Sequence, residues 1–283
     1  MALPDAGTRP DGTAGLIIRK SAREIEQMAA AGAVVAGALA LLEERLEPGL
    51  SMAELDRIAE DFIRSHDAVP TSKGYKGFPA AICISPNEMI VHGIPGDYRA
   101  KEGDVVSFDI GVTKDGLIAD SAATFGVGEI SDEAQRLLDV CQAALEAGID
   151  AAKVGSHVGD ISAAVQQTVE EAGFSVVRSL VGHGVGRDYH EDPQVPNFVM
   201  SYRGPELVEG MTLAIEPMIT AGDAEVYVHD DEWSISTVDS SLAAHFEHTV
   251  AVTAEGPRVL TKASLATPTG RTPGLVPGGR LPR

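Results

Sequence analysis

Two aspartates, Asp109 and Asp120, stand in apolar stretches of sequence where a charged carboxylate is costly. The segment 105–125, VVSFDIGVTKDGLIADSAATF, predicts two strands with alternating apolar residues. Between them, Asp115-Gly116 is typical of a two-residue hairpin loop. The sequence therefore predicts a β-hairpin with one aspartate on each strand.

The register of this hairpin brings the two carboxylates together. A two-residue loop pairs Lys114 with Leu117, and hence Gly111 with Asp120. Asp109 is then the diagonal neighbour of Asp120 on one face, about 7–8 Å away at Cα. Gly111 carries no side chain and leaves room between the two. Such a pair either has a raised pKa or binds a cation, whereas the ordinary alternative is two exposed aspartates on an open hairpin face.

The second half of the chain supplies further metal-type ligands. Glu216, in LAIEPMI, and Glu247, in HFEHTVAV, both stand in strand-like segments, and Pro217 favours extended backbone at Glu216. His183 lies between glycines in GHGVG, which allows close approach, although a lone histidine is more often structural. Oxygen and imidazole ligands of this kind suit Mn²⁺, Fe²⁺, Co²⁺ or Zn²⁺, and a two-metal site can polarise a carbonyl.

Two other histidines near Glu247 are interpreted as incidental. Strand alternation places His245 on the same face as Glu247 and His248 on the opposite face. The H-x-x-H spacing therefore does not predict a local zinc site.

Helix signals divide the chain into two similar halves. Ser21 with Glu24 and Ser51 with Glu54 form capping boxes, which predict helix starts. The predicted helices run from Ser21 to Pro48, from Ser51 to about His66, from Ser131 to Gly155 and from a cap at Asp160 to Phe174.

Each half therefore reads helix, helix, strands, which predicts an internal pseudo-repeat and an α+β fold. VHGI at 91–94 corresponds to GHGV at 182–185, and SFDI at 107–110 corresponds to LAIE at 213–216. This alignment sets Asp109 opposite Glu216. We expect the site to lie on the axis between the halves.

Composition narrows the functional classes. The formal charge of −20, from 42 acidic and 22 basic residues, argues against nucleic-acid binding. The two cysteines exclude a disulfide framework and fit a cytoplasmic location. We expect no signal peptide and no membrane span. A catalytic domain is predicted over residues 17–262, with disordered tails at 1–16 and 263–283.

Several motifs together resemble the type I methionine aminopeptidases. They are NEMIVHGIPGD, FDIGVTKDGLIADSAATF, GHGVGRDYHEDPQVPNF, IEPMI and EHT, and the resemblance covers about residues 17–262. It implies the pita-bread fold, in which two related α+β halves surround a dinuclear metal centre. It also implies removal of the N-terminal methionine from nascent polypeptides whose second residue is small.

The resemblance also assigns roles to individual residues. The five implied metal ligands are Asp109, Asp120, His183, Glu216 and Glu247, with Asp120 and Glu247 bridging the two ions. Asp109 holds one ion, beside the substrate amine, and His183 and Glu216 hold the other.

The implied catalytic residues are His92, His190 and Glu216. Glu216 would shuttle protons, His190 would bind the carbonyl oxygen, and His92 would contact the scissile nitrogen. The implied methionine pocket consists of Tyr75, Phe78, Cys83, Tyr189 and Trp233. Ser72 stands where many members have cysteine, which leaves fine specificity and thiol sensitivity open.

Three alternative assignments are disfavoured by the sequence. Xaa-Pro aminopeptidases and prolidases share the fold and ligands but usually carry a large N-terminal domain, for which a core starting near residue 17 leaves no room. Type II methionine aminopeptidases carry an insertion that the short spacing between His190, Glu216 and Glu247 excludes. A catalytically inactive binding protein, for instance on the ribosome, would lack ligands that are all present here.

The expected partners follow from the resemblance. We expect nascent chains as substrates, compatible with transient ribosome association, and a monomer. The sequence does not name the physiological metal.

Overall fold

Each half of the chain begins with two helices and continues with short strands, as the sequence pattern predicts. The computed structural model describes residues 16–262, so the predicted tails lie outside it except for Leu16. The first half contains α1 (Ala22–Arg45), α2 (Met52–Ser65), β1 (Val69–Pro70), β2 (Cys83–Pro86), β3 (Met89–Val91), β4 (Val105–Lys114) and β5 (Leu117–Gly126), with a 3₁₀ turn at Tyr75–Gly77.

The second half repeats this plan with more, shorter strands. It contains α3 (Asp132–Ala151), α4 (Val158–Glu171), β6 (Ser175–Val176), β7 (Gly182–Gly184), β8 (Glu191–Val195), β9 (Thr212–Ile215), β10 (Met218–Thr220), β11 (Val226–Val228), β12 (Ile235–Thr237), β13 (Ala243–His245), β14 (His248–Thr253) and β15 (Gly256–Val259).

The capping signals place the helix starts of the first half correctly. Both predicted capping boxes are formed, at Ser21 and at Ser51. Two boundaries in the second half differ from the prediction. Helix α3 ends at Ala151 instead of Gly155, because the backbone N–H groups of Ala152 and Lys153 turn back to Ile149 and Ala151. The N-cap of α4 is His157, and Asp160 instead accepts a 2.8 Å hydrogen bond from the His157 N–H.

The strands within residues 16–262 form four sheets. In the first half, β4 pairs with β5 along its whole length and with β1 and β2 along its other edge. In the second half the order β15-β14-β9-β7-β8 forms the largest sheet, and β13-β10-β6 forms a smaller one. The fourth sheet, β11-β12-β3, joins the halves, since β12 pairs with β3 of the first half.

The helices pack against the sheets of their own half. Apolar side chains of α1 and α2, including Met52 and Leu55, form one core with Phe108 and Ile110 of β4. Among residues 16–262, α1 is the one helix long and apolar enough to cross a membrane by length and composition, and 56% of its most apolar window is buried within the fold. Its apolar residues are accounted for by that packing.

The two halves meet along β5 and the segment 245–249, and threonine hydroxyls complete the contact. The backbone N–H of Glu247 donates directly to the Ala122 carbonyl at 2.8 Å. On one side of this bond, Thr249 Oγ1 accepts from the Asp120 N–H at 2.9 Å and donates to the Asp120 carbonyl at 2.8 Å. On the other side, Thr124 Oγ1 makes the same pair of bonds, both 2.9 Å, with the backbone of His245. Residues 120–124 and 245–249 therefore run antiparallel, and two threonine hydroxyls bridge their backbones on either side of the direct bond.

We predict that Thr249→Val destabilises the protein by about 2–4 kcal/mol, since it keeps the side-chain shape but leaves the buried Asp120 N–H and carbonyl without partners. Urea unfolding measures the loss. The matched control is Thr168→Val, whose hydroxyl bonds within α4 to the Ala164 carbonyl, and which should change stability by less than about 0.5 kcal/mol. Equal losses in both variants would contradict the role of the hydroxyl bridge.

Candidate metal centre and catalytic site

The hairpin carrying Asp109 and Asp120 has the predicted register. Lys114 pairs with Leu117, and Gly111 pairs with Asp120. Asp120 is 4% exposed and Asp109 is half-buried. The pair is therefore not the open surface pair that the hairpin alone left as an alternative.

The space over Gly111 is taken up by Tyr189 and does not stay open between the carboxylates. A Cβ atom at Gly111 would overlap the Tyr189 hydroxyl. That hydroxyl also lies 3.1 Å from Ser72 Oγ. The absence of a side chain at Gly111 is thus what allows Tyr189 to pack against the hairpin that carries the two aspartates.

The sequence places Glu216 and Glu247 in strand-like segments, but in the structure both lie at breaks between strands. Glu216 falls between β9 and β10, and Glu247 falls between β13 and β14. Ile215 pairs with His248 and Met218 with His245, so the register across the break sets Glu216 opposite Glu247.

The break has an identifiable cause. Pro217 follows Glu216 and has no N–H to give to a ladder. The Glu247 N–H is directed instead to Ala122 of the other half. At this point the two paired segments pass from one sheet to another, and both glutamates turn toward the hairpin aspartates.

His183 faces the carboxylates through Nε2. Its Nδ1 lies 2.9 Å from the Gly184 carbonyl, which requires the proton on Nδ1. Nε2 lies 3.4 Å from Glu216 Oε1 and 4.0 Å from Asp120 Oδ2. Ligand atoms of Asp120, His183 and Glu247 all lie within 4.8 Å of one another. A backbone bond that fixes Nδ1 and frees Nε2 is the usual arrangement of a metal-ligating histidine.

Burial and mutual repulsion make this carboxylate cluster costly without a cation. Desolvation raises the pKa of Asp109, and it raises the pKa of Asp120 and Glu247 well above their ordinary values with help from neighbouring carboxylates. Desolvation also raises the pKa of Glu216 to about 8. Among the described residues, Asp120 Oδ1 and Glu247 Oε1 are buried with no hydrogen-bond partner. Unpartnered carboxylate oxygens beside an imidazole nitrogen fit a divalent metal ion.

Two further histidines flank the cluster. His190 Nδ1 lies 2.9 Å from the Tyr75 hydroxyl, and its ring centre lies 4.2 Å from that of His183. Although one side of His190 is exposed, desolvation and the neighbouring His183 lower its pKa. His92, just after β3, has a left-handed backbone with φ of 58°, and burial lowers its pKa to about 4. Both imidazoles are therefore neutral at pH 7.

His245 is not incidental, and that interpretation was wrong. It is 1% exposed, and its Nε2 lies 3.6 Å from Glu216 Oε2. Both of its ring nitrogens lack a hydrogen-bond partner within the described part of the chain. Strand alternation places His245 on the face of Glu247, but the H-x-x-H spacing addresses only a paired zinc site and not His245 on its own beside a carboxylate distant in sequence. His248 bonds Thr261 Oγ1 at 2.8 Å, away from the cluster.

The predicted pocket residues form two groups beside the metal ligands. Phe78 and Cys83 pack together with Trp233, whose ring meets the Phe78 ring edge-on at 5.2 Å. Cys83 pairs with Asp109 across the strands, so this apolar group adjoins a ligand. Tyr75 and Tyr189 form the other group, with ring centres 5.1 Å apart, next to His190.

Comparison with known proteins agrees with this geometry. The sequence model of metallopeptidase family M24 matches residues 26–254. A methionine aminopeptidase of Clostridium perfringens is 50% identical over 246 residues, which are 87% of this chain and 99% of that protein. The crystal structure of a methionine aminopeptidase from Thermotoga maritima superimposes with a TM-score of 0.85 at 44% identity, covering 87% of this chain and all of that one (100%).

A prolidase from Pyrococcus furiosus shares the fold at a TM-score of 0.71, with 22% identity, 88% of this chain and 66% of that one covered. The two-half fold and its carboxylate and histidine site thus define the chain as a member of metallopeptidase family M24, with the predicted pita-bread fold. Within that family it belongs to the methionine aminopeptidases, and the prolidase-like alternative is disfavoured.

Asp109→Asn should remove one metal ligand and sharply weaken the binding of divalent metal, because the amide carries no charge. Equilibrium dialysis against Mn²⁺ with elemental analysis measures the bound ions. Asp115→Asn is the matched control, since it makes the same change at the exposed tip of the same hairpin. Undiminished metal binding by Asp109→Asn would refute its role as a ligand.

The raised carboxylate pKa values predict a pH dependence for the metal-free protein. The folded chain holds protons that the unfolded chain releases near pH 4, so stability falls as pH rises toward about 8, the pKa of Glu216. The lowered histidine pKa values make stability rise with pH, but only below about pH 6.5, where the unfolded histidines bind protons. Urea unfolding in EDTA between pH 7 and 8 should therefore show declining stability, with a smaller decline in Glu216→Gln. Constant or rising stability would contradict the assignment.

Proposed function

We propose that the chain removes the N-terminal methionine from nascent proteins and peptides whose second residue is small. The observation that carries the proposal is the contact between the metal-ligand cluster and the apolar group of Phe78, Cys83 and Trp233, which adjoin at the Cys83 and Asp109 pair. The related proteins of the same family bear the name of this activity.

We further propose that two divalent ions bind, Mn²⁺, Fe²⁺, Co²⁺ or Zn²⁺. The charge of the ligand set supports this number, because two dications neutralise the four carboxylates. Asp120 and Glu247 would bridge the ions, Asp109 would hold one, and His183 with Glu216 would hold the other. When bound, the ions would supply a Lewis acid for the scissile carbonyl and lower the pKa of a water nucleophile.

His190 would stabilise the charge that develops on the carbonyl oxygen. If the Tyr75 hydroxyl donates to Nδ1, the neutral imidazole carries its proton on Nε2. Nε2–H can then donate to the oxyanion. His92, which is also neutral at pH 7, would contact the nitrogen of the scissile bond.

Glu216 would move the proton from the attacking water to the leaving amine. A carboxylate within reach of both the attacking water and the leaving nitrogen can accept and then release the proton. His245, 3.6 Å from the second Glu216 oxygen, would help to hold this carboxylate in place.

The substrate would bind in two parts. Its cationic amine would lie next to Asp109, and its methionine side chain would enter the apolar group behind Cys83. The thioether packs well against aromatic edges such as those of Phe78 and Trp233. The enzyme would act as a monomer, as the resemblance implies. Action on nascent chains implies a cytoplasmic protein with at most transient ribosome contact.

A peptide panel tests this function. Apo-protein is reconstituted separately with Mn²⁺, Fe²⁺, Co²⁺ and Zn²⁺ and assayed on Met-Ala, Met-Leu and Xaa-Pro peptides. We expect Met-Ala peptides to be preferred by about 100-fold or more in kcat/KM with at least one metal, since the proposed specificity requires methionine first and a small residue second. Equal cleavage of Xaa-Pro peptides would instead support a prolidase-like enzyme.

A further inference from the structure

The loop between β7 and β8, residues 185–190, carries two residues of the proposed site, Tyr189 and His190. Few backbone bonds hold it. The Val185 N–H donates to the Thr212 carbonyl at 3.2 Å, the Gly186 N–H donates to the Asp188 carbonyl at 3.1 Å, and the Ile118 N–H donates to the Gly186 carbonyl at 2.8 Å. The position of His190 therefore depends on side-chain contacts to the loop.

The Glu191 carboxylate closes this loop and anchors it to the N-terminal segment. Glu191 Oε1 accepts from the N–H groups of Arg187 at 2.6 Å and Asp188 at 3.1 Å. Glu191 Oε2 forms an ion pair with Lys20 Nζ, and the two side chains are only 3% and 1% exposed. Burial lowers the pKa of Lys20, and the adjoining Glu191 carboxylate opposes that shift.

Lys20 is itself fixed on both sides. Its backbone N–H donates to the Gly210 carbonyl at 2.6 Å, and Nζ also donates to the Ile18 carbonyl at 3.2 Å. Its side chain crosses directly over Gly186, where a Cβ would overlap Lys20 Cε. The lysine thus joins a segment before α1, outside the part matched by the family model, to the loop of the site.

A second ion pair joins the same loop to the first turn of α1 and is more exposed. Arg187 Nη2 lies 2.7 Å from Glu24 Oε1, with side chains 54% and 23% exposed. An exposed pair of this kind contributes little to stability. Breaking a buried pair is far more disruptive, because the remaining charge is left without compensation.

We propose that Lys20 is a positioning residue for His190, acting through Glu191 and the loop 185–190. The inference rests on the proposed function. Loss of the lysine releases the Glu191 carboxylate from its partner, so the loop turns away and His190 leaves the carbonyl oxygen. Because a displacement of about 1 Å can cost a rate factor of about 100, the main effect falls on kcat.

The test compares Lys20→Met with Arg187→Met in the full-length, metal-reconstituted chain. Each variant removes the basic member of one pair on the same loop. With a Met-Ala peptide we expect Lys20→Met to lower kcat by about 10- to 100-fold with little change in KM, and Arg187→Met to stay within about twofold of the parent. Equal kcat values for Lys20→Met and the parent would overturn the proposal.

A second variant and a readout independent of activity complete the test. Glu191→Gln keeps an oxygen for the Arg187 and Asp188 N–H groups but loses the charge, and it replaces Lys20→Met if that variant does not fold. Lys20→Met combined with Glu191→Gln should be no slower than the slower single variant, since both act through one contact. Additive losses would contradict this.

Hydrogen exchange of the metal-free proteins reports on the loop directly. Lys20→Met should accelerate exchange of amides 185–191 and leave those of α3 unchanged, whereas Arg187→Met should leave both regions unchanged. If the parent cleaves no peptide, the proposed function fails, but the exchange result still decides whether Lys20 fixes the loop. Unchanged loop exchange would overturn the inference in either case.

Discussion

Four carboxylates that cannot all be charged without a cation occupy the contact between the two halves of this protein. Asp109 and Asp120 come from a hairpin of the first half, and Glu216 and Glu247 come from paired breaks in the second. Burial raises the pKa of every one of them. Divalent metal offsets this cost. Because the carboxylates come from both halves, the free energy of metal binding is coupled to the alignment of the halves.

Hydrogen bonds at the contact between β5 and segment 245–249 fix the relative position of the two halves. Hydroxyl groups of Thr124 and Thr249 bridge β5 and the second half on either side of one direct backbone bond. This spacing keeps Glu247 beside Asp120 without merging the halves into one sheet. The pseudo-repeat explains why each half contributes two carboxylates, while His183 is supplied by the second half alone.

The sequence predicted what depends on local pattern. The Asp115-Gly116 turn set the hairpin register, and the capping boxes at Ser21 and Ser51 set two helix starts, because turn and cap chemistry act over a few residues. Residue type and strand context singled out the four carboxylates and His183 as metal-type ligands, whereas their individual roles and the pocket came from resemblance to a family. The geometry gathers those residues into one region.

Contacts between distant segments were not predictable in the same way. The breaks at Glu216 and Glu247 arise where Pro217 ends a ladder and Ala122 of the other half accepts an N–H, which strand alternation does not reveal. The same holds for His245 beside Glu216 and for Lys20 beside Glu191, which lie far apart in sequence. A local pattern carries no information on which buried charge meets which.

The most direct test of the metal centre is an anomalous-difference map from crystals of the full chain soaked in Mn²⁺. Our account predicts two peaks among Asp109, Asp120, His183, Glu216 and Glu247, with Asp120 and Glu247 contacting both. A single peak, or peaks that do not contact carboxylates of both halves, would contradict it.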